Sequence, residues 1–119
     1  MLKKRLNSFR YAIAGIISLV RSQANAKIHL LASVVVIFAG LYFELDRTAW
    51  CLVALAIASV LVAEAFNTAL EHLTDLVSPE HHPLAGKAKD MAAGAVLLAA
   101  IGAAAVGLLV FLPKILALI

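Results

Sequence analysis

The chain has 119 residues, of which 64% are hydrophobic and 14% charged, and its mean hydropathy is +1.01. Water-soluble domains run at about half apolar and about a quarter charged, and a chain this short cannot enclose so much apolar surface in its own core. These figures exclude an ordinary soluble enzyme and point to one domain seated in a bilayer. The formal net charge of +3 is crowded into the N-terminal quarter, on Lys3, Lys4, Arg5, Arg10, Arg21 and Lys27, where it suits an anionic membrane surface or a phosphate. Nucleic acid is a poor partner for so apolar a chain. The lone cysteine, Cys51, rules out an intramolecular disulfide and a cysteine-based zinc site.

Residues 1–27 predict a basic amphipathic helix in the membrane interface, with Phe9, Ala12, Ile13, Ile16, Ile17 and Val20 at helical spacing. A secretory signal competes for the same stretch, with Lys3-Lys4-Arg5 before an apolar run and Ala24-Asn25-Ala26 as its cleavage site. Cleavage there would release another membrane span rather than a secreted domain, which favours the interfacial helix. The first span is predicted over 28–43, short for a hydrocarbon core of about 30 Å. Glu44-Leu45-Asp46-Arg47-Thr48 forms a polar turn and implies an antiparallel hairpin. The second span, 49–77, begins at the interfacial anchor Trp50, turns polar at Glu64 and leaves the membrane as one unbroken helix. Ser78 to Gly86 is a loop, marked by Pro79, Pro83 and Gly86. The third span, 87–112, ends where Pro113 follows. Its Gly94, Gly102 and Gly107 suit close helix packing in lipid. The expected fold is all-α and integral to the membrane: three transmembrane helices plus an N-terminal interfacial helix, in a single domain 1–119. The excess of lysine and arginine places the N-terminal segment and the Lys87–Lys89 region on the cytoplasmic side.

The chemistry concentrates between Glu64 and Asp75. At about 100° per residue, Glu71 and Asp75 point within about 20° of Glu64, with Asn67 and Thr68 beside them. A solvated acidic helix end is the plain alternative. Against it, Glu64 directly follows an apolar run, where carboxylates are costly and usually functional, and a like-charged stripe repels itself unless a cation neutralises it. Magnesium takes oxygen ligands, often one or two carboxylates with substrate phosphate. Lys87, Lys89 and Asp90 open the third helix, and a helix start with lysines attracts phosphate. Together these suggest a metal–nucleotide site, and the lack of G-x-x-x-x-G-K-[ST] excludes a P-loop enzyme. His81 and His82 lack the companions of a zinc site, and His29 and His72 read as polar residues at helix edges.

The pattern Glu64-Ala65-Phe66-Asn67-Thr68-Ala69-Leu70-Glu71-x-x-x-Asp75, with Lys87-Ala88-Lys89-Asp90-Met91-Ala92-Ala93-Gly94 after it, resembles the signature of the small prokaryotic diacylglycerol kinase family. That family contains diacylglycerol and undecaprenol kinases. Glu80-His81-His82-Pro83-Leu84 and Phe111-Leu112-Pro113-Lys114 look closer to the undecaprenol branch. The resemblance implies a homotrimer in the bacterial cytoplasmic (inner) membrane, with active sites between protomers. It also implies transfer of the ATP γ-phosphate to a lipid alcohol. Carried over, Glu64 resembles the catalytic base and Asn67 its polar neighbour. Glu71 resembles a Mg2+ ligand, and Asp75 shares its acidic stripe. Glu80, His81, His82, Lys89 and Asp90 resemble nucleotide contacts, as do Tyr11 and Lys4, the latter in place of an arginine. Where the family offers a second acidic metal ligand this chain has Gln23, whose carbonyl can coordinate but brings no charge. A small proton-coupled transporter would also place a carboxylate near lipid, without needing Lys87, Lys89 and Asp90. A membrane scaffold would use the acidic stripe to hold a basic partner.

Overall fold

The computed structural model describes residues 1–119 and contains four helices and no strands. These are α1 (Leu2–Ser22), α2 (Ala24–Tyr42), α3 (Arg47–Val77) and α4 (Pro83–Leu116). The last three are long and apolar enough to cross a membrane. Helix α1 is the amphipathic one and buries no residue within the chain. The fold is all-α, with three membrane-spanning helices and an amphipathic N-terminal helix.

Helix ends differ from the sequence expectation in four places, each for a local reason. The interfacial helix stops at Ser22 rather than residue 27, because Gln23 adopts an extended conformation (φ −109°, ψ 118°) and starts a new helix. Residues 24–27 therefore belong to α2. Its 19 residues measure about 29 Å at 1.5 Å each, which removes the apparent shortness of the 28–43 span. Helix α3 begins at Arg47, not 49, because the Asp46 carboxylate accepts from the Ala49 N–H at 2.8 Å and caps it. Helix α4 begins at Pro83, not 87. Proline suits a first helical position, where no N–H is needed, and His82 caps this end with its ring Nδ1, which accepts from Leu84 N–H at 3.1 Å. Pro113 does not end α4, which continues to Leu116. In lipid, neighbouring groups and local adjustment tolerate the hydrogen bond a proline removes.

The α2–α3 turn is a Schellman closure: Leu45 N–H reaches Gly40 C=O at 3.1 Å and Glu44 N–H reaches Leu41 C=O at 3.3 Å. Glu44 takes the left-handed conformation (φ 52°) that this motif usually gives to glycine. Leu45, buried, turns back onto the hairpin. Trp50 lies over Gly40 so closely that a Cβ there would meet its ring at 2.5 Å.

Helices α3 and α4 pack as a long antiparallel pair, α2 lies against α3, and α1 touches α2 and α3 but not α4. The backbones of α2 and α4 do not come into contact. Their side chains meet at one end, where the Phe43 and Phe111 ring centroids are 6.1 Å apart, beside the small core of Leu45, Val53 and Phe111. Between them lies an apolar cavity of 120 Å³, lined by residues that include His29, Ser33, Val36, Val60 and Phe111. Only 10 of the 119 residues are buried, so most of the apolar surface must be covered by lipid or by other chains.

Candidate active site

The polar end of α3 is graded from dry to wet. Glu64 is 2% exposed, and Thr68, one turn on, is also buried. Asn67 and Glu71 are half-buried and Asp75 is exposed. The carboxylate stripe expected from helical spacing thus exists, but its members do not gather at one point. Seven residues of rise put Glu64 and Glu71 roughly 10 Å apart along the axis. The upper and lower parts of the stripe therefore do different work.

At the lower part, two buried oxygens lack a hydrogen-bond donor: Glu64 Oε1 and Asn67 Oδ1. Leaving such an atom unsatisfied costs about 1–3 kcal/mol, more for a charged group. The Asn67 amide donates to Glu71 Oε1 at 3.5 Å, which turns its own carbonyl oxygen away from Glu71. His29 on α2 brings Nε2 to 3.4 Å from Glu64 Oε1, within ion-pair distance but without hydrogen-bond alignment. A carboxylate seated where apolar chain meets polar chain, with a free lone pair, can accept a proton from a hydroxyl at the same depth. The Glu71 carboxylate and the Asn67 carbonyl are the hard oxygen donors that magnesium prefers, and the orphaned Asn67 oxygen is an acceptor awaiting a partner. The Glu71 carboxylate fits Mg2+, and a half-turn of the Asn67 amide would bring its oxygen to the same ion. Gln23, half-exposed at the α1–α2 break, donates from its amide to Ser22 Oγ at 3.5 Å rather than bonding Glu71.

At the upper part, Asp75, Ser78, Glu80, His81, His82 and Lys89 line a polar cavity of 160 Å³ at the α3–α4 turn. Lys89 Nζ donates to Asp75 Oδ1 across the two helices. The Ser78 hydroxyl donates to Glu80 C=O at 2.9 Å, and the His82 cap fixes the start of α4. Asp90 is exposed beside Lys89 and does not line this cavity. Lys4 and Tyr11 stand exposed on α1, which makes no contact with α4. One chain therefore does not bring them to Lys89. The fold joins Asn67 to Glu71, Asp75 to Lys89, and the loop residues Glu80, His81 and His82 to both members of that second pair.

The sequence reading took His29 for a polar residue at a helix edge, and it missed the capping role of His82. The signal for His29 was present: an ionisable residue inside the apolar run Ile28–Leu31 is a functional mark in a membrane helix. Its partner was not, because Glu64 lies 35 positions away in sequence. The glycines also read differently. A Cβ added at Gly94, Gly102 or Gly107 would meet nothing within 4 Å, so α4 does not use them to pack inside its own chain.

The model of the family described as prokaryotic diacylglycerol kinase matches residues 10–111. The undecaprenol kinase of Bacillus subtilis (strain 168) is 40% identical over 114 residues, covering 96% of this chain and 93% of that protein. The diacylglycerol kinase of Synechocystis sp. is 46% identical over 114 residues, covering 95% of this chain but only 65% of that protein's length. The diacylglycerol kinase of Pseudomonas aeruginosa is 34% identical over 98 residues, covering 82% of this chain and 80% of that protein. From Arg10 to Phe111 the match passes through all four helices and both parts of the polar constellation, and on that ground the chain belongs to the prokaryotic diacylglycerol kinase family.

Proposed function

We propose that the protein is an ATP-dependent lipid kinase that transfers the γ-phosphate of ATP to a membrane lipid hydroxyl, with undecaprenol as the preferred acceptor. The observation that carries this reading is Glu64: a buried carboxylate with an unpartnered oxygen at the point where the apolar half of α3 turns polar. Similarity to the undecaprenol kinase over 93% of that protein's length supports the acceptor. Diacylglycerol is the second reading, favoured by the 46% identity to the diacylglycerol kinase of Synechocystis.

In the proposed reaction Glu64 accepts the proton of the lipid hydroxyl as its oxygen attacks the γ-phosphorus and ADP leaves. Asn67 holds the Glu71 carboxylate in place. Lys89, steadied by Asp75, offers its ammonium to the phosphates, and Glu80, His81 and His82 ring the rest of the nucleotide beside Asp90. Magnesium would be held by Glu71 with the Asn67 and Gln23 carbonyls, and would supply the charge neutralisation on which phosphoryl transfer depends. Because α1 does not reach α4 within one chain, Lys4 and Tyr11 act on the nucleotide of a neighbouring copy in a homotrimer. The bilayer is the bacterial cytoplasmic membrane, with the N-terminus and the site facing the cytoplasm, as the positive charge distribution favours.

The test is phosphorylation in mixed micelles by the purified chain, with radiolabelled ATP, magnesium and either undecaprenol or diacylglycerol. Label is expected in undecaprenol at the higher rate. Label in neither lipid sinks the reading, and a higher rate on diacylglycerol reverses the order of acceptors.

A further inference from the structure

We propose that His29 is the proton outlet of Glu64, taking from it the proton drawn from the lipid hydroxyl and releasing that proton at the membrane surface. This rests on the lipid-kinase reading. A base must be emptied before it can work again. The Glu64 side chain is 3% exposed, whereas the His29 side chain is 27% exposed, stands two residues from Lys27 at the polar start of α2, and places Nε2 3.4 Å from Glu64 Oε1. That oxygen has no hydrogen-bond partner to compete for it. Imidazole carries two nitrogens, so it can receive a proton on one and release it from the other.

Within one chain, His29 is the sole basic group paired with this carboxylate. The only other ion pair in the chain is Lys89–Asp75. On α4 no titratable residue lies between Asp90 and Lys114. On α2, Lys27 precedes His29 by two positions; on α3, Glu71 and His72 lie two turns beyond Glu64; and the last charged residue of α1 is Arg21. The Ser33 hydroxyl donates to the His29 carbonyl at 2.7 Å, and the His29 ring borders the apolar cavity between α2 and α4. His29 thus stands between an apolar interior on one side and the charged start of α2, at Lys27, on the other. The balance is complete: the alcohol O–H bond breaks, a C–O–P linkage forms, the bond from γ-phosphorus to the bridging oxygen breaks, and ADP leaves. The proton passes to Glu64, then to His29 Nε2, while His29 Nδ1 gives one to water.

The test compares the full-length wild type, His29→Ala, His29→Gln and Glu64→Gln in micelles with undecaprenol, ATP and magnesium. Both His29 variants are expected to lose about 10–100-fold in kcat, at or below the lower end of the range for general acid–base groups because His29 relays the proton rather than taking it from the substrate, while KM for ATP and lipid stays within about twofold. Added imidazoles of similar size should restore His29→Ala in order of their base strength. Should His29→Ala fail to fold, His29→Gln, which preserves a hydrogen-bonding side chain of similar reach, carries the test. Full kcat in His29→Gln, or rescue that ignores base strength, overturns the proposal and assigns His29 a structural part. A wild type inactive on both lipids, or a fully active Glu64→Gln, brings down the kinase reading and this proposal with it. An active wild type and inactive Glu64→Gln beside unimpaired His29 variants overturn this proposal alone.

Discussion

Glu64 Oε1 and Asn67 Oδ1 are kept buried without donors, a cost that folding alone gives no reason to carry. A ligand hydroxyl at the first and a cation at the second would discharge it. Glu64→Gln is therefore expected to lower turnover by about 10²–10⁴-fold, with nucleotide affinity measured by calorimetry changing little, because the polar cavity proposed to take the nucleotide lies about three turns further along α3. Near-normal turnover would take Glu64 out of the role. Gln23→Glu adds a charge at the α1–α2 break and should lower the magnesium concentration needed for half-maximal nucleotide binding, read by calorimetry as well as by rate. An unchanged magnesium requirement would separate Gln23 from the metal. At this scale the sequence was informative for Glu64, Asn67, Glu71 and Asp75, since helical spacing alone puts them on one face. It was uninformative for the His29–Glu64 contact, which joins two helices.

Among the elements, the α2–α3 hairpin is the most sharply specified. Glu44 occupies a left-handed position (φ 52°) where any side chain costs about 1–2 kcal/mol relative to glycine. Glu44→Gly is expected to raise the denaturation midpoint in detergent by about 1 kcal/mol of stability; a lower midpoint would mean that the Glu44 side chain stabilises the turn. Gly40→Ala should do the opposite, costing about 1–3 kcal/mol because its Cβ would lie 2.5 Å from the Trp50 ring. Trp50→Leu in the same chain should recover part of that loss, and a neutral Gly40→Ala would show that the ring moves aside freely. The polar turn, the hairpin and the helices themselves were legible from apolar runs and turn residues. The helix ends were less so. Caps at Asp46 and His82 and the extended Gln23 moved them by a few positions, and Pro113 was absorbed where lipid-phase packing outweighs its usual helix-ending effect.

For the molecule as a whole, exposed apolar side chains such as Leu98 (72%) and Leu109 (79%), with glycines that meet nothing inside the chain, leave surface to be covered by lipid or by other chains. With Cys51 changed to serine, a cysteine at Thr48 should react with an impermeant maleimide in intact cells. A cysteine at Ser78 should react only after permeabilisation; the reverse pattern would invert the proposed orientation. Composition and hydropathy by themselves determined that this chain is a membrane protein of three spans. Helical periodicity determined that its carboxylates share a face, because both properties are local and additive along the chain. Only the tertiary structure decided which carboxylate is dry and which is wet, that Asp75 is held by Lys89, and that His29 stands beside Glu64. Those facts depend on how far one helix lies from another and at what register, quantities that no single helix encodes.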